Sequence, residues 1–302
     1  MQIARDSYLQ QLIRKQNNKL VKVITGIRRC GKSYLLFNLF KEHLLKSGVM
    51  ADHIITIAFD SFENKHLQDP YALFPYLTNL FKDQEQYYVL LDEVQLLGDF
   101  ESVLNSLIRR DNVDVYVTGS NAKFLSKDVI TEFRGRGDEI HLNPLSFREF
   151  LAAVGEGGLV RVIDKMDEKL LSIYKSKYVD WLKKYYYIGG MPEVVSNYID
   201  NRDFKEVRYL QNKIIEMYEN DFSKHTSTRE LPRIRMVWNA IPMQLAKENK
   251  KFFFGKIKQG DIYPDILFGA TFFYVVWSNI KIDQTIGMPM LTGIPNQLNE
   301  DF

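Results

Sequence analysis

Gly26-Ile27-Arg28-Arg29-Cys30-Gly31-Lys32-Ser33 is the stretch that decides how the rest of the chain is read. It fits G-x-x-x-x-G-K-[S/T], a loop whose glycines let the backbone turn tightly so that its N–H groups face phosphate oxygens. Gly26 supplies the turn and Gly31 the close approach, Lys32 brings a point charge to the β/γ-phosphates, and the Ser33 hydroxyl is a ligand type suited to Mg²⁺. Its flanks agree. Leu20–Thr25 is rich in β-branched residues and predicts a strand, while Leu35, Leu36, Leu39, Phe40 and Leu44 recur at helical spacing through 33–45. Strand, glycine loop and helix in that order put an anion at a helix N-terminus. The candidate nucleotide-binding stretch is therefore Gly26, Ile27, Arg28, Arg29, Cys30, Gly31, Lys32, Ser33 and Tyr34. Arg28 and Arg29 read as facing solvent or a partner and carry no catalytic role.

Working outward, residues 1–19 predict a leading helix with Tyr8, Leu9, Leu12 and Ile13 on one face, and Gly48 marks the end of the loop's helix. Strands are expected at 54–60, 87–93, 113–118 and 139–142, with helices at 71–81 and 100–110 between them. Such alternation argues a parallel α/β sheet with helices on both faces and ligands at the C-terminal strand ends. Beyond Pro144 the pattern becomes helical: 147–154, a flexible break at Gly155–Gly158, a Lys- and Tyr-rich helix over 169–187, a turn at Gly189-Gly190-Met191-Pro192, and a largely helical 193–225. The domains read as 1–150 (ATPase), 151–228 (helical lid), 229–260 (a winged-helix start) and 261–302 (an atypical apolar tail).

Hydrolysis needs more than a phosphate loop. Asp92 ends an apolar strand about sixty residues after Lys32, where P-loop enzymes place a carboxylate that holds Mg²⁺. Glu93 beside it is placed to polarise water as a general base. A strand intervening in sequence is the arrangement of the P-loop division that uses a glutamate base. Ser120 and Asn121, past the fourth strand, read either as groups that sense the γ-phosphate or as simple turn residues. Arg134 and Arg136, in Phe-Arg-Gly-Arg-Gly, read either as arginine fingers or as a solvated basic loop. A finger supplied in trans would come with a homo-oligomer.

Composition sets the outer limits. The 302 residues are 45% hydrophobic and 26% charged, which describes an ordinary globular chain long enough for two domains. A net charge of +2 predicts no nucleic-acid partner by itself. Cys30 is the single cysteine, which excludes internal disulfides and suits a reducing cytosol. Residues 1–18 carry no apolar core of a secretory signal, and 266–280 is too short an apolar run to span a bilayer, so a cytoplasmic protein without membrane contact is expected. No Asn-Lys-x-Asp guanine signature is present, since Asn64-Lys65-His66-Leu67 lacks the Asp. A nucleotide or metabolite kinase is disfavoured by Glu93 and by the lack of an arginine-rich lid. Arg229, Arg233, Arg235, Lys247, Lys250 and Lys251, with 252–258 as a wing, are compatible with phosphate contacts and keep a DNA-binding ATP switch open as an alternative.

Taken together, Ile24–Ser33, Leu91-Asp92-Glu93-Val94-Gln95, Val117–Ala122, Arg134-Gly135-Arg136 and Pro144–Phe150 resemble a prokaryotic AAA-type ATPase family that pairs an N-terminal AAA domain with a C-terminal domain of unknown function. The resemblance covers about residues 1–260. It implies ATP at Gly26–Ser33, a Walker B pair at Asp92 and Glu93, a sensor at Ser120 or Asn121, Arg136 at a recurrent Gly-Arg position, and a lid turn at Gly189–Glu193. Residues 261–302 depart from it and read as a truncated or divergent C-terminus. The expected function is a Mg²⁺-dependent ATP-driven switch acting on a protein partner.

Overall fold

The computed structural model describes residues 2–119, 137–225 and 229–245. They form two units that part between Leu145 and Ser146.

The first unit is built on five parallel strands: β1 (Val21–Thr25), β2 (Ile54–Ala58), β3 (Tyr87–Asp92), β4 (Val113–Thr118) and β5 (Gly137–His141). Their order across the sheet is β2-β3-β4-β1-β5. β4, the fourth in sequence, is thus inserted between the strand that feeds the glycine loop and the strand that ends in Asp92. β1, β3 and β4 are buried along their whole length, as near-continuous apolar runs in a parallel sheet must be.

Helices cover both faces. On one, Val23, Ile57, Val89, Leu91, Val115 and Val117 pack with Leu73 and Leu77 of α4 (Pro70–Leu80) and Leu104 and Leu107 of α5 (Phe100–Leu107). The opposite face carries Ile24, Leu90 and Tyr116. Tyr116 meets Phe40 of the helix after the glycine loop, with ring centroids 4.5 Å apart. That helix runs as α2 (Lys32–Tyr34), a π-helical stretch (Leu35–Phe40) and α3 (Lys41–Lys46), and Gly48 at φ 92° ends it. Its buried residues Leu35, Leu36, Leu39, Phe40 and Leu44 are those the spacing selects.

The leading helix is shorter than 1–19: α1 is Asp6–Arg14, and left-handed Asn17 and Lys19 turn the chain into β1. α4 begins where Asp69 caps it, accepting from Tyr71 N–H at 2.9 Å, with Pro70 in the first turn, where a missing N–H costs nothing.

The second unit is helical throughout: α6 (Phe147–Ala153), α7 (Gly157–Lys165), α8 (Glu168–Ile173), α9 (Lys175–Ile188), α10 (Pro192–Asn201), α11 (Phe204–His225) and α12 (Leu231–Leu245). Ser146 and Glu149 start α6 with a reciprocal capping box. The break expected at Gly155–Gly158 is confined to Gly155 and Glu156, because Gly157 and Gly158 open α7. Left-handed Arg202 divides the stretch read as continuous over 193–225 into α10 and α11. Gly189, at φ 78°, ends α9, and Pro192 starts α10.

Candidate nucleotide site

Three strand ends meet at the C-terminal edge of the sheet. Ile24 of β1 is in register with Thr118 of β4, and Leu91 of β3 with Val117, so Thr118 lies between the last residues of the other two strands. The glycine loop leaves β1 from this point.

Its backbone takes conformations that side chains resist. Gly26 has φ 141°, and a Cβ there would stand 2.2 Å from the Leu142 carbonyl oxygen. The chain leaving β5 is held against this spot by Leu142 N–H donating to the Thr25 carbonyl at 2.8 Å. Glycine at 26 is therefore a steric requirement of the sheet's edge. Gly31 (φ 100°) and Arg29 (φ 63°) are also left-handed, and alternation of this kind turns successive N–H groups toward one side as an anion-binding concavity. Cys30 and Ile27 are buried and hold the loop from beneath, whereas Arg28 and Arg29 are exposed. Burial pushes the Cys30 thiol up, against the pull of Lys32 and Arg5, so Cys30 is an inert packing group.

Lys32 is buried, and its Nζ donates to the carbonyls of Gly26 and Ile27, each at 3.0 Å. The ammonium sits on the rim of its own loop, beside the concavity. Tyr34 is about one-third exposed at the next turn.

Asp92 ends β3 in a buried position. The Thr118 hydroxyl donates to its carboxylate, and the Ser33 hydroxyl lies near enough to lower its pKa. Burial raises its pKa, the two hydroxyls oppose that rise, and the nearby charges of Glu93 and Asp60 add to it. A carboxylate and a hydroxyl in contact, with further negative charge around them, form an oxygen donor set that fits a hard divalent cation. Among the described residues no group of three or more His, Cys, Asp or Glu is arranged to hold a metal alone. Mg²⁺ asks for only one or two carboxylates when substrate phosphates supply the rest.

Glu93 follows in a left-handed conformation (φ 53°, ψ 48°), which costs a residue bearing Cβ roughly 1–2 kcal/mol. Its N–H donates to Thr118 Oγ1 at 3.1 Å, and its Oε2 accepts from the Gln95 side-chain amide. The strain persists because both ends of the residue are tied.

Five expected residues thus converge here: Gly26, Gly31, Lys32, Ser33 and Asp92, with Glu93 alongside. Asn121, Ser120, Arg134 and Arg136 lie outside the described residues, as do 252–258 and 261–302. Two residues at the site carried no expectation. Thr118 was visible as the residue that ends the strand run Val113–Thr118, and Gln95 as the polar residue two after Glu93. A sequence does not say that either side chain turns inward.

Comparison with known proteins bears on the family and the fold. Residues 18–151 match the AAA domain family, and 179–263 match a domain of unknown function. An uncharacterized protein of Haemophilus influenzae is 33% identical over 276 residues, covering 86% of this chain and 68% of that one. The chain belongs to the AAA-type P-loop ATPase family. In this chain the AAA domain is N-terminal and the domain of unknown function follows it. A second relative, uncharacterized protein MJ1544 of Methanocaldococcus jannaschii, is 26% identical over 231 residues, which are 67% of this chain and 48% of that one. The chain thus spans about two thirds of the first relative and about half of the second. The solved Walker-type ATPase PABY2304 of Pyrococcus abyssi shares the fold, with a TM-score of 0.57 at 18% identity over 93% of this chain and 89% of that one. No helix among the described residues is long and apolar enough to cross a membrane.

Proposed function

We propose that this AAA-family protein binds ATP with Mg²⁺ at the Gly26–Tyr34 loop, hydrolyses it, and uses the cycle as a switch on a protein partner. The observation that carries this reading is the buried Asp92 carboxylate at the strand end beside the mouth of the loop, near enough to the Ser33 hydroxyl for that group to lower its pKa. Ser33 and Asp92 would hold Mg²⁺, which offsets charge on the β- and γ-phosphates. Loop N–H groups and Lys32 would cradle those phosphates, Lys32 exchanging the carbonyls of Gly26 and Ile27 for phosphate oxygens. Glu93 would take the proton of the attacking water. Asn121 as a sensor, and Arg134 or Arg136 as a finger, complete the proposal.

Steady-state hydrolysis and nucleotide binding, measured on wild type, Lys32→Ala and Glu93→Gln, test it. We expect Lys32→Ala to lose binding, and Glu93→Gln to bind ATP while kcat falls by about 100-fold or more. Wild-type protein that binds no ATP would overturn the reading.

A further inference from the structure

Glu93 caps a single 3₁₀ turn, Val94–Leu96, closed by Leu96 N–H donating to the Glu93 carbonyl at 3.0 Å. Inside this turn the Gln95 amide Nε2 donates to Glu93 Oε2, while the Thr118 hydroxyl accepts from the Glu93 N–H. The residue is therefore fixed at its backbone and at its tip. The last torsion of a glutamate is broad and roughly two-fold, so a donor on one oxygen sets the plane of the carboxylate.

The other end of the same amide carries a second clue. Gln95 Oε1 is buried and has no hydrogen-bond partner among the described residues. An unmet buried acceptor is costly, so the direction of the amide is dictated by Glu93 and not by the amide's own needs. Packing that turn alone would require no donor at position 95.

We propose that Gln95 is a positioning residue for Glu93, its amide holding Oε2 so that the carboxylate plane is set for the water it deprotonates. This rests on Glu93 being the general base. The contact lies within one turn and draws on no group outside it, so the base can be oriented before ATP arrives. Preorganisation of this kind avoids rearrangement at the moment of reaction. Gln95 contributes through Glu93 alone, and its removal acts on turnover rather than on binding.

Two substitutions separate this role from packing: Gln95→Met keeps length and loses the donor, and Gln95→Glu keeps shape and sets a like charge against Glu93. The expected result for Gln95→Met is a kcat about 10-fold lower, as for other outer-shell partners, with KM and ATP affinity within about 2-fold of wild type. Its unfolding midpoint should equal or exceed wild type, because the orphaned carbonyl is gone. Gln95→Glu should lose more activity than Gln95→Met. Wild-type kcat in Gln95→Met would reduce the residue to packing, and a loss of ATP affinity matching the loss of kcat would make it a binding residue. Either overturns the proposal. A fully active Glu93→Gln would instead sink the reading of Glu93 as base. The contact is also read without turnover: the Gln95 side-chain ¹⁵N–¹H resonances of nucleotide-free protein should move in Glu93→Gln, and unchanged resonances would overturn it.

Discussion

Two aspartates lie on one face of the sheet, on neighbouring strands, and the protein treats them differently. Asp114, at the start of β4, is buried and ion-paired to buried Lys22 of β1. It also accepts from Tyr116 Oη at 2.8 Å and from Asn17 N–H at 2.9 Å. Burial pulls the Lys22 pKa down, and Asp114 opposes that pull. Burial beside Asp114 drives the Tyr116 hydroxyl upward and keeps it a donor. Asp92, at the end of β3, has hydroxyl partners in Ser33 and Thr118, with the like charges of Glu93 and Asp60 nearby. A buried carboxylate with its own cation is architecture. One furnished, among the described residues, with hydroxyls and no cation, at the mouth of a phosphate loop, is suited to a cation that comes from outside.

The largest effect should come from breaking the completed pair. Lys22→Met leaves Asp114 buried and uncompensated, and urea unfolding should show a loss of about 3–5 kcal/mol. Adding Asp114→Leu should restore only part of it, because the uncompensated charge is gone but Tyr116 Oη and the Asn17 N–H lose their acceptor. A single Lys22→Met that unfolds like wild type would erase the distinction between the two aspartates.

The next test cuts the link between Asp92 and Glu93. Thr118→Val removes a donor to one and the acceptor of the other's N–H, and should destabilise by about 1–3 kcal/mol with Thr118→Ser close to wild type. Asp92→Asn should do the reverse of Lys22→Met: unfolding stability unchanged or higher by about 1 kcal/mol, since burial disfavours the Asp92 charge.

His53, buried at the far end of the sheet with Asp52 and Asp83 3.0 and 3.1 Å from its ring nitrogens, extends the comparison to pH. Burial disfavours its charge, but the two carboxylates outweigh burial and its pKa is raised above the ordinary 6.5. Its contribution should be complete below about pH 6.5 and fade as pH rises through the raised folded value. Urea midpoints at about pH 6 and about pH 8 should differ more in wild type than in His53→Gln.

The contrast also shows what was legible in the sequence. The glycine loop, Asp92, Glu93 and the parallel sheet were, because each is written in adjacent residues or in a run of strand and helix periods. The strand ends that bring Ser33, Asp92 and Thr118 together follow from the sheet order, which local pattern does not encode. Lys22 and Asp114 each interrupt an apolar strand near its start, a signal that two charges share one buried layer, yet only the β1–β4 pairing joins them. Gln95 stood within the Leu91–Gln95 motif, but nothing in the sequence gave its side chain a role. Gly157 and Gly158 looked like a break because glycine weakens a helix, yet they form the first turn of α7, whose Leu159, Val160 and Val162 are buried.

The most direct test of the account is ATP titration by calorimetry with and without Mg²⁺, on wild type and Asp92→Asn. If Ser33 and Asp92 hold the metal of a bound Mg·ATP, Mg²⁺ should tighten wild-type binding by about 10-fold or more and leave Asp92→Asn little changed. Wild-type binding indifferent to Mg²⁺, or equal Mg²⁺ dependence in both proteins, would contradict it.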